Sequence, residues 1–176
     1  GIAGGIPPTI VKSRVPFSKD IFIQYSAHGW MMYHNRYSTS GDYTIENNNQ
    51  PISAGDVIVV GNCVISQSEK SIYEQKWGVS CNTENDIEIL ACKINSGQNP
   101  FSEFTHESFA GLIKTPSKFW VYRNNKRPLH YFNFDGGVFV CSTKDIAERS
   151  LYPRQVDVIP VPKNRCIQME DLWISE

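Results

Sequence analysis

The sequence predicts a mixed α+β fold. Three observations lead there. Several short runs rich in Val, Ile, Phe and Tyr read as strands, helical signals are fewer, and the two are interspersed irregularly rather than alternating. The length of 176 residues suits one domain, and a 40% hydrophobic, 12% aromatic composition can build a core.

In chain order, Asp20 to Tyr25 and Trp30 to His34 read as strands. Glu46-Asn47-Asn48-Asn49-Gln50-Pro51 is polar and reads as a loop. Val57 to Val60 is a further strand. Ser68 to Trp77 forms a helix that Gly78 ends. A second helix runs from Asp86 to about Asn95, where Ile87, Leu90 and Ile94 recur at helical spacing and Gly97 stops it. Phe101 to Leu112 is a third. Strands follow at Phe119 to Arg123, Leu129 to Phe134 and Gly137 to Cys141. Asp135-Gly136-Gly137 joins the last two as a hairpin, since glycine accepts the positive φ of such a turn. A short helix over Thr143 to Ser150, capped by Ser142 or Thr143, and a strand over Val156 to Val161 complete the reading.

Composition narrows the function. A net charge of -1 gives no electrostatic reason to expect nucleic acid or an anionic membrane as partner. No apolar run approaches the roughly 20 residues of a membrane span, and the N-terminus lacks the basic region of a signal peptide. Five cysteines (Cys63, Cys81, Cys92, Cys141, Cys166) are odd in number, widely spaced and without a CxxC pair. That argues against a disulfide framework and a zinc site and for free thiols in a reducing cytosol. His28, His34, His106 and His130 show no spacing with Asp or Cys that forms a triad.

Beyond this point a family resemblance enters. His34-Asn35-Arg36-Tyr37-Ser38-Thr39 is similar to the H-x-R-[YW]-[SA]-T stretch of class II glutamine amidotransferases, and Asn48-Asn49-Gln50-Pro51 to their N-x-x-P. Val59-Val60-Gly61-Asn62-Cys63 stands where the family has a strand and H-N-G. Glu84-Asn85-Asp86-Ile87-Glu88 resembles its E-T-D-[ST]-E helix opening, Arg123 to Leu129 its A-R-x-x-x-P-L turn, and Val138 to Thr143 its last strand before a short helix. The marks occur in the family's order across nearly the whole chain. The resemblance implies one glutamine amidotransferase domain over residues 1–176, built as the four-layer αββα sandwich of the N-terminal-nucleophile hydrolases.

It also implies a chemistry. Glutamine needs a guanidinium for its carboxylate, a carboxylate for its ammonium and donors for the oxyanion formed on its amide. Arg36 matches the first and Asp86 the second; apart from the resemblance, Asp86 reads as charge compensation at a helix N-terminus. The Asn62 side chain and the Cys63 backbone N–H match the third. Tyr37, Ser38, Thr39 and Gln50 match pocket-lining positions. Two departures stand out: Gly61 replaces the family's histidine and Cys63 its glycine, with strain expected if residue 63 needs a positive φ. No cofactor or metal is implied.

The family chain opens Cys-Gly-Ile-[VA]-Gly, and Gly1-Ile2-Ala3-Gly4-Gly5 fits it from the second residue. The expected nucleophile is therefore a cysteine before Gly1, its α-amine acting as base. Three situations would account for its absence here: a cysteine missing or chemically altered, one removed to trap an inactive state, or a protein that never had it. Cys63 is a poor substitute, lacking a base. The leading expectation is a cytoplasmic enzyme hydrolysing L-glutamine and passing ammonia to a separate synthetase. The alternatives are an inactive binding or assembly module on the same fold, and an amidase for other amides, which the Arg36–Asp86 pair disfavours. The segment from Leu151 to Glu176 is expected to pack on the domain rather than dock on a partner.

Overall fold

A computed structural model describes residues 1–13, 15–27, 29–35 and 41–172. The fold is mixed α and β, and every strand pairing in it is antiparallel. No helix among the described residues is long and apolar enough to cross a membrane.

The largest sheet has five strands: β4 (Ile52–Ala54), β5 (Val57–Val64), β6 (Ser108–Lys114), β7 (Phe119–Arg123) and β11 (Arg165–Gln168), in the order β11-β7-β6-β5-β4. A second sheet joins β2 (Thr9–Val11), β1 (Ile2–Gly4) and β3 (Met31–Tyr33). A third joins β10 (Ile159–Pro160), β8 (His130–Phe134) and β9 (Gly137–Cys141).

Alternation along β5 decides what packs where, because successive side chains of a strand point to opposite faces. Val57, Val59 and Cys63 join Phe109, Ile113 and Tyr122 in the main core, which α2 (Lys70–Trp77) and α3 (Glu88–Asn95) cover. Fully burying each such side chain is worth about 1.5–3 kcal/mol. Ile58 and Val60 point the other way, onto Ala3 and Met32 of the second sheet. On that same side, Ala110 and Val121 meet Leu129, Tyr131, Val138 and Val140 of the third-sheet region. The outer face of the second sheet carries α1 (Lys19–Ser26), whose Phe22 lies edge-on to Tyr33 at 5.1 Å. The outer face of the third sheet carries the stacked pair Phe132–Phe139, and Cys141 on that face meets the backbone of Ala147 in α4 (Lys144–Leu151).

The hairpin between β8 and β9 is as expected. Phe134 pairs with Gly137, leaving Asp135 (φ 49°) and Gly136 (φ 73°) as a two-residue turn. Gly78 closes α2 in the left-handed conformation at φ 62°.

Three elements differ from the sequence reading. Asp20 to Tyr25 lies within α1, not a strand. A short apolar run does not distinguish the two periods, and here Phe22 and Tyr25 close onto the second sheet while Ile23 stays 55% exposed. The helix expected over Phe101 to Leu112 is a 3₁₀ turn at Pro100–Glu103 followed by β6. It stops because the Glu107 carboxylate captures the backbone N–H groups of Thr105 and His106, at 2.7 and 2.8 Å. Gly111 then lets β6 close on β5, since an added Cβ would strike the carbonyl of Val60. Finally, only Ile159–Pro160 of the run Val156 to Val161 is strand, pairing with β8 at its edge.

Candidate functional site

One cavity of about 1500 Å³ opens between the second sheet, the end of β5 and β9. Gln50, Asn62, Cys63 and Asp86 all line it, together with His34 and Asn35. Four of the residues singled out in the sequence therefore meet, although they come from three separate segments. Arg36, Tyr37, Ser38 and Thr39, and also His28, lie outside the described residues.

The edge of β5 organises this end of the cavity. Backbone N–H groups alternate between the two sides of a strand, so residues 61, 63 and 65 present theirs to one side. The other side belongs to β6, whose Gly111 pairs with Gly61. On the outward side the Gly61 N–H donates to Gln50 Oε1 at 2.7 Å, and Gln50 Nε2 donates back to the Gly61 carbonyl at 3.0 Å. Two positions on, the Ile65 N–H donates to Asp86 Oδ2 at 2.6 Å, joined by the Ser66 N–H at 2.9 Å. The Cys63 N–H points to the same edge, between these two braces.

Side chains follow the opposite logic. Asn62 shares the face of Ile58 and Val60 and is exposed to the cavity. Cys63 turns its thiol into the main core, 7% exposed, so its bulk does not enter the site. The strain expected at residue 63 is absent, because it lies in extended β5 and not among the positive-φ residues. Gly61 also has a steric reason: an added Cβ would sit 2.5 Å from Phe109 Cε2 and 2.9 Å from the Ala110 carbonyl. Phe109 fills the space that a histidine side chain would need.

Asp86 is delivered by a loop held from both directions. Glu88 is wholly buried, yet its carboxylate accepts from the Asn82 N–H at 2.7 Å, the Thr83 N–H at 2.7 Å and the Thr83 hydroxyl at 2.6 Å. From the other side, the Glu84 N–H donates to Asn48 Oδ1 at 2.9 Å and Asn85 Nδ2 to the Asn48 carbonyl at 2.8 Å. The Asn-rich stretch reads as a surface loop in sequence but is buried at Asn48, Asn49 and Gln50. It tolerates burial because its amides are paired, Asn49 Nδ2 donating to the Tyr43 carbonyl at 2.9 Å. Asp86 is itself 1% exposed, and two backbone donors hold its carboxylate in place.

Gly1 lies at the same end. Its N–H donates to the His34 carbonyl at 2.9 Å and its carbonyl accepts from the His34 N–H at 3.0 Å, extending the β1–β3 ladder. An added Cβ on Gly1 would meet the Gln50 carbonyl. The Gly1 amine is brought down to about 6, first by burial and then by the neighbouring Lys12 charge.

The sequence reading missed one cluster. Cys81, Glu88 and Cys92 place a carboxylate oxygen and two sulfurs within 4.8 Å of one another. The only signal for it was one cysteine on helix α3 and one just before the loop that leads into it.

No protein-family model matches the chain, and no curated protein matches its sequence.

Proposed function

We propose that this chain is the glutaminase domain of a class II glutamine amidotransferase. The observation that carries the reading is the convergence of Gln50, Asn62, Cys63 and Asp86 on one cavity, at the end where β1 begins. These are motif positions far apart in the sequence, and an accidental set of short matches gives no reason for them to meet. The packing supports the reading too: helices lie on the outer face of the five-stranded sheet, of the second sheet and of the third. The proposed αββα sandwich calls for helices on those outer faces.

In this reading a cysteine preceding Gly1 continues the β1–β3 ladder toward Asn35 and emerges beside Gln50. Its α-amine removes the thiol proton, and the thiolate attacks the side-chain amide carbon of glutamine. The oxyanion receives hydrogen bonds from the Asn62 amide and the Cys63 N–H. Collapse expels ammonia and leaves a thioester, and water attacks that carbon to release glutamate and regenerate the thiol. Asp86 holds the substrate ammonium, and Arg36, by its motif position, the carboxylate. A synthetase consumes the ammonia.

The test compares two forms of the protein: one with cysteine placed before Gly1 after initiator removal, and one beginning at Gly1. The cysteine form should release glutamate from glutamine and take one diazo-oxo-norleucine adduct on its first residue by intact mass. The other form should do neither. A cysteine form that folds identically yet shows no glutamate and no adduct would overturn the reading.

A further inference from the structure

Cys81 and Cys92 have no place in the proposed amide chemistry. Cys81 ends the segment after α2 and is buried; Cys92 lies on α3 and is half-buried. The two sulfurs lie within 4.8 Å of each other. A disulfide requires an S–S distance of about 2 Å, so the sulfurs must approach each other by less than about 3 Å to bond. Glu88 is the third member of the cluster, but both its oxygens already accept from Asn82 and Thr83. Its carboxylate is committed to the loop, which leaves the two sulfurs as the reactive groups.

We infer that Cys81 and Cys92 form a reversible disulfide with low-molecular-weight disulfides such as oxidised glutathione as the oxidant, clamping the segment before Asp86 to helix α3.

The two cysteines divide the roles. Cys92 is the more accessible, and its thiol also donates to the Ser80 carbonyl at 3.6 Å. The Cys81 thiol beside it draws the Cys92 thiol below its ordinary pKa, against the effect of burial. Cys81 is pushed up by its Cys92 neighbour and then by burial. Cys92 is therefore the attacking sulfur. Its thiolate attacks one sulfur of oxidised glutathione, forming a mixed disulfide and expelling a glutathione thiolate that takes up a proton. Cys81 then loses its proton to solvent and attacks the Cys92 sulfur, expelling the second glutathione. Two thiols are oxidised to one disulfide and one glutathione disulfide is reduced to two thiols. Cys63 turns into the main core away from the surface, and Cys166 is exposed; neither belongs to that cluster.

The experiment equilibrates the native protein in glutathione buffers of increasing oxidised fraction and follows intact mass, cross-linked peptides and Tm. The expected product is a monomer lighter by two hydrogens, with one cross-linked pair joining the peptides of Cys81 and Cys92. Closing so short a loop should raise Tm by about 5–10 °C, reversed by dithiothreitol. Cys81→Ser should instead hold a glutathione adduct on Cys92, which reports the attacking sulfur even if the variant is less stable. Failure of the wild-type cross-link at every ratio, or cross-links joining other cysteines or separate molecules, would overturn the inference.

Discussion

Replacing Glu88 tests how the site loop is held. Glu88→Ala removes a wholly buried acceptor and strands two backbone donors, the N–H groups of Asn82 and Thr83, together with the Thr83 hydroxyl. A buried donor without a partner costs about 1–3 kcal/mol. Two such donors, on exposed Asn82 and half-buried Thr83 and offset in part by relief from desolvating a carboxylate, give a loss of roughly 2–4 kcal/mol. For a chain of this size that corresponds to a fall in Tm of about 5–15 °C. Urea unfolding at neutral pH, read by circular dichroism and by tryptophan fluorescence, measures it. Glu88→Gln should cost about half as much, because its carbonyl oxygen serves one N–H while its amide NH₂ faces the other. Hydrogen exchange at Asn82 and Thr83 should accelerate in both variants. A loss under about 1 kcal/mol for Glu88→Ala would refute the claim that this carboxylate fixes the loop.

Other outcomes follow from the same geometry. Asn62→Ala leaves stability within about 0.5 kcal/mol, since the side chain is exposed, but lowers kcat of the cysteine form by about 10²–10³-fold; steady-state glutamate release reads the second and thermal melting the first. Gly61→Ala destabilises because its Cβ meets Phe109, and Phe109→Leu in the same chain restores part of the loss; additive effects in a double-mutant cycle would show that the two do not touch. Glu107 supplies a pH dependence. Burial pushes its carboxyl up, but hydrogen bonds from its own N–H, from Thr105, from Lys76 and from His106 outweigh that and bring it from 4.5 to about 2. The folded-state value is depressed, so its contribution is full above pH 4.5 and is lost as the pH falls toward about 2. Glu107→Gln should lack that part of the acid loss in melts across the same range.

Some of this was legible in the sequence because it depends on local rules. Short runs rich in Val, Phe and Tyr gave β7 and β9 at their observed bounds, and left-handed glycine marked the end of α2 and the β8–β9 turn. The Asn62, Cys63 and Asp86 positions were named from short motifs, which carry residue order. Other features depend on partners distant in sequence. The run at Asp20 is apolar in either period, and only the second sheet beneath Phe22 and Tyr25 makes it a helix. Ser108–Lys114 becomes a strand because β5 and β7 offer two open edges and Gly111 permits close approach. The Asn-rich stretch is polar by composition and buried by its hydrogen bonds to Tyr43, Gly61 and Glu84. The sulfur pair at Cys81 and Cys92 is set by how α3 returns past the end of α2. The chain by itself determines periodicity, turn chemistry and the types of residue at the motif positions, since these act within a few residues. Which edges pair, which polar groups are buried and which side chains share the cavity is decided only by tertiary packing, where a group's free energy depends on neighbours that sequence proximity does not reveal.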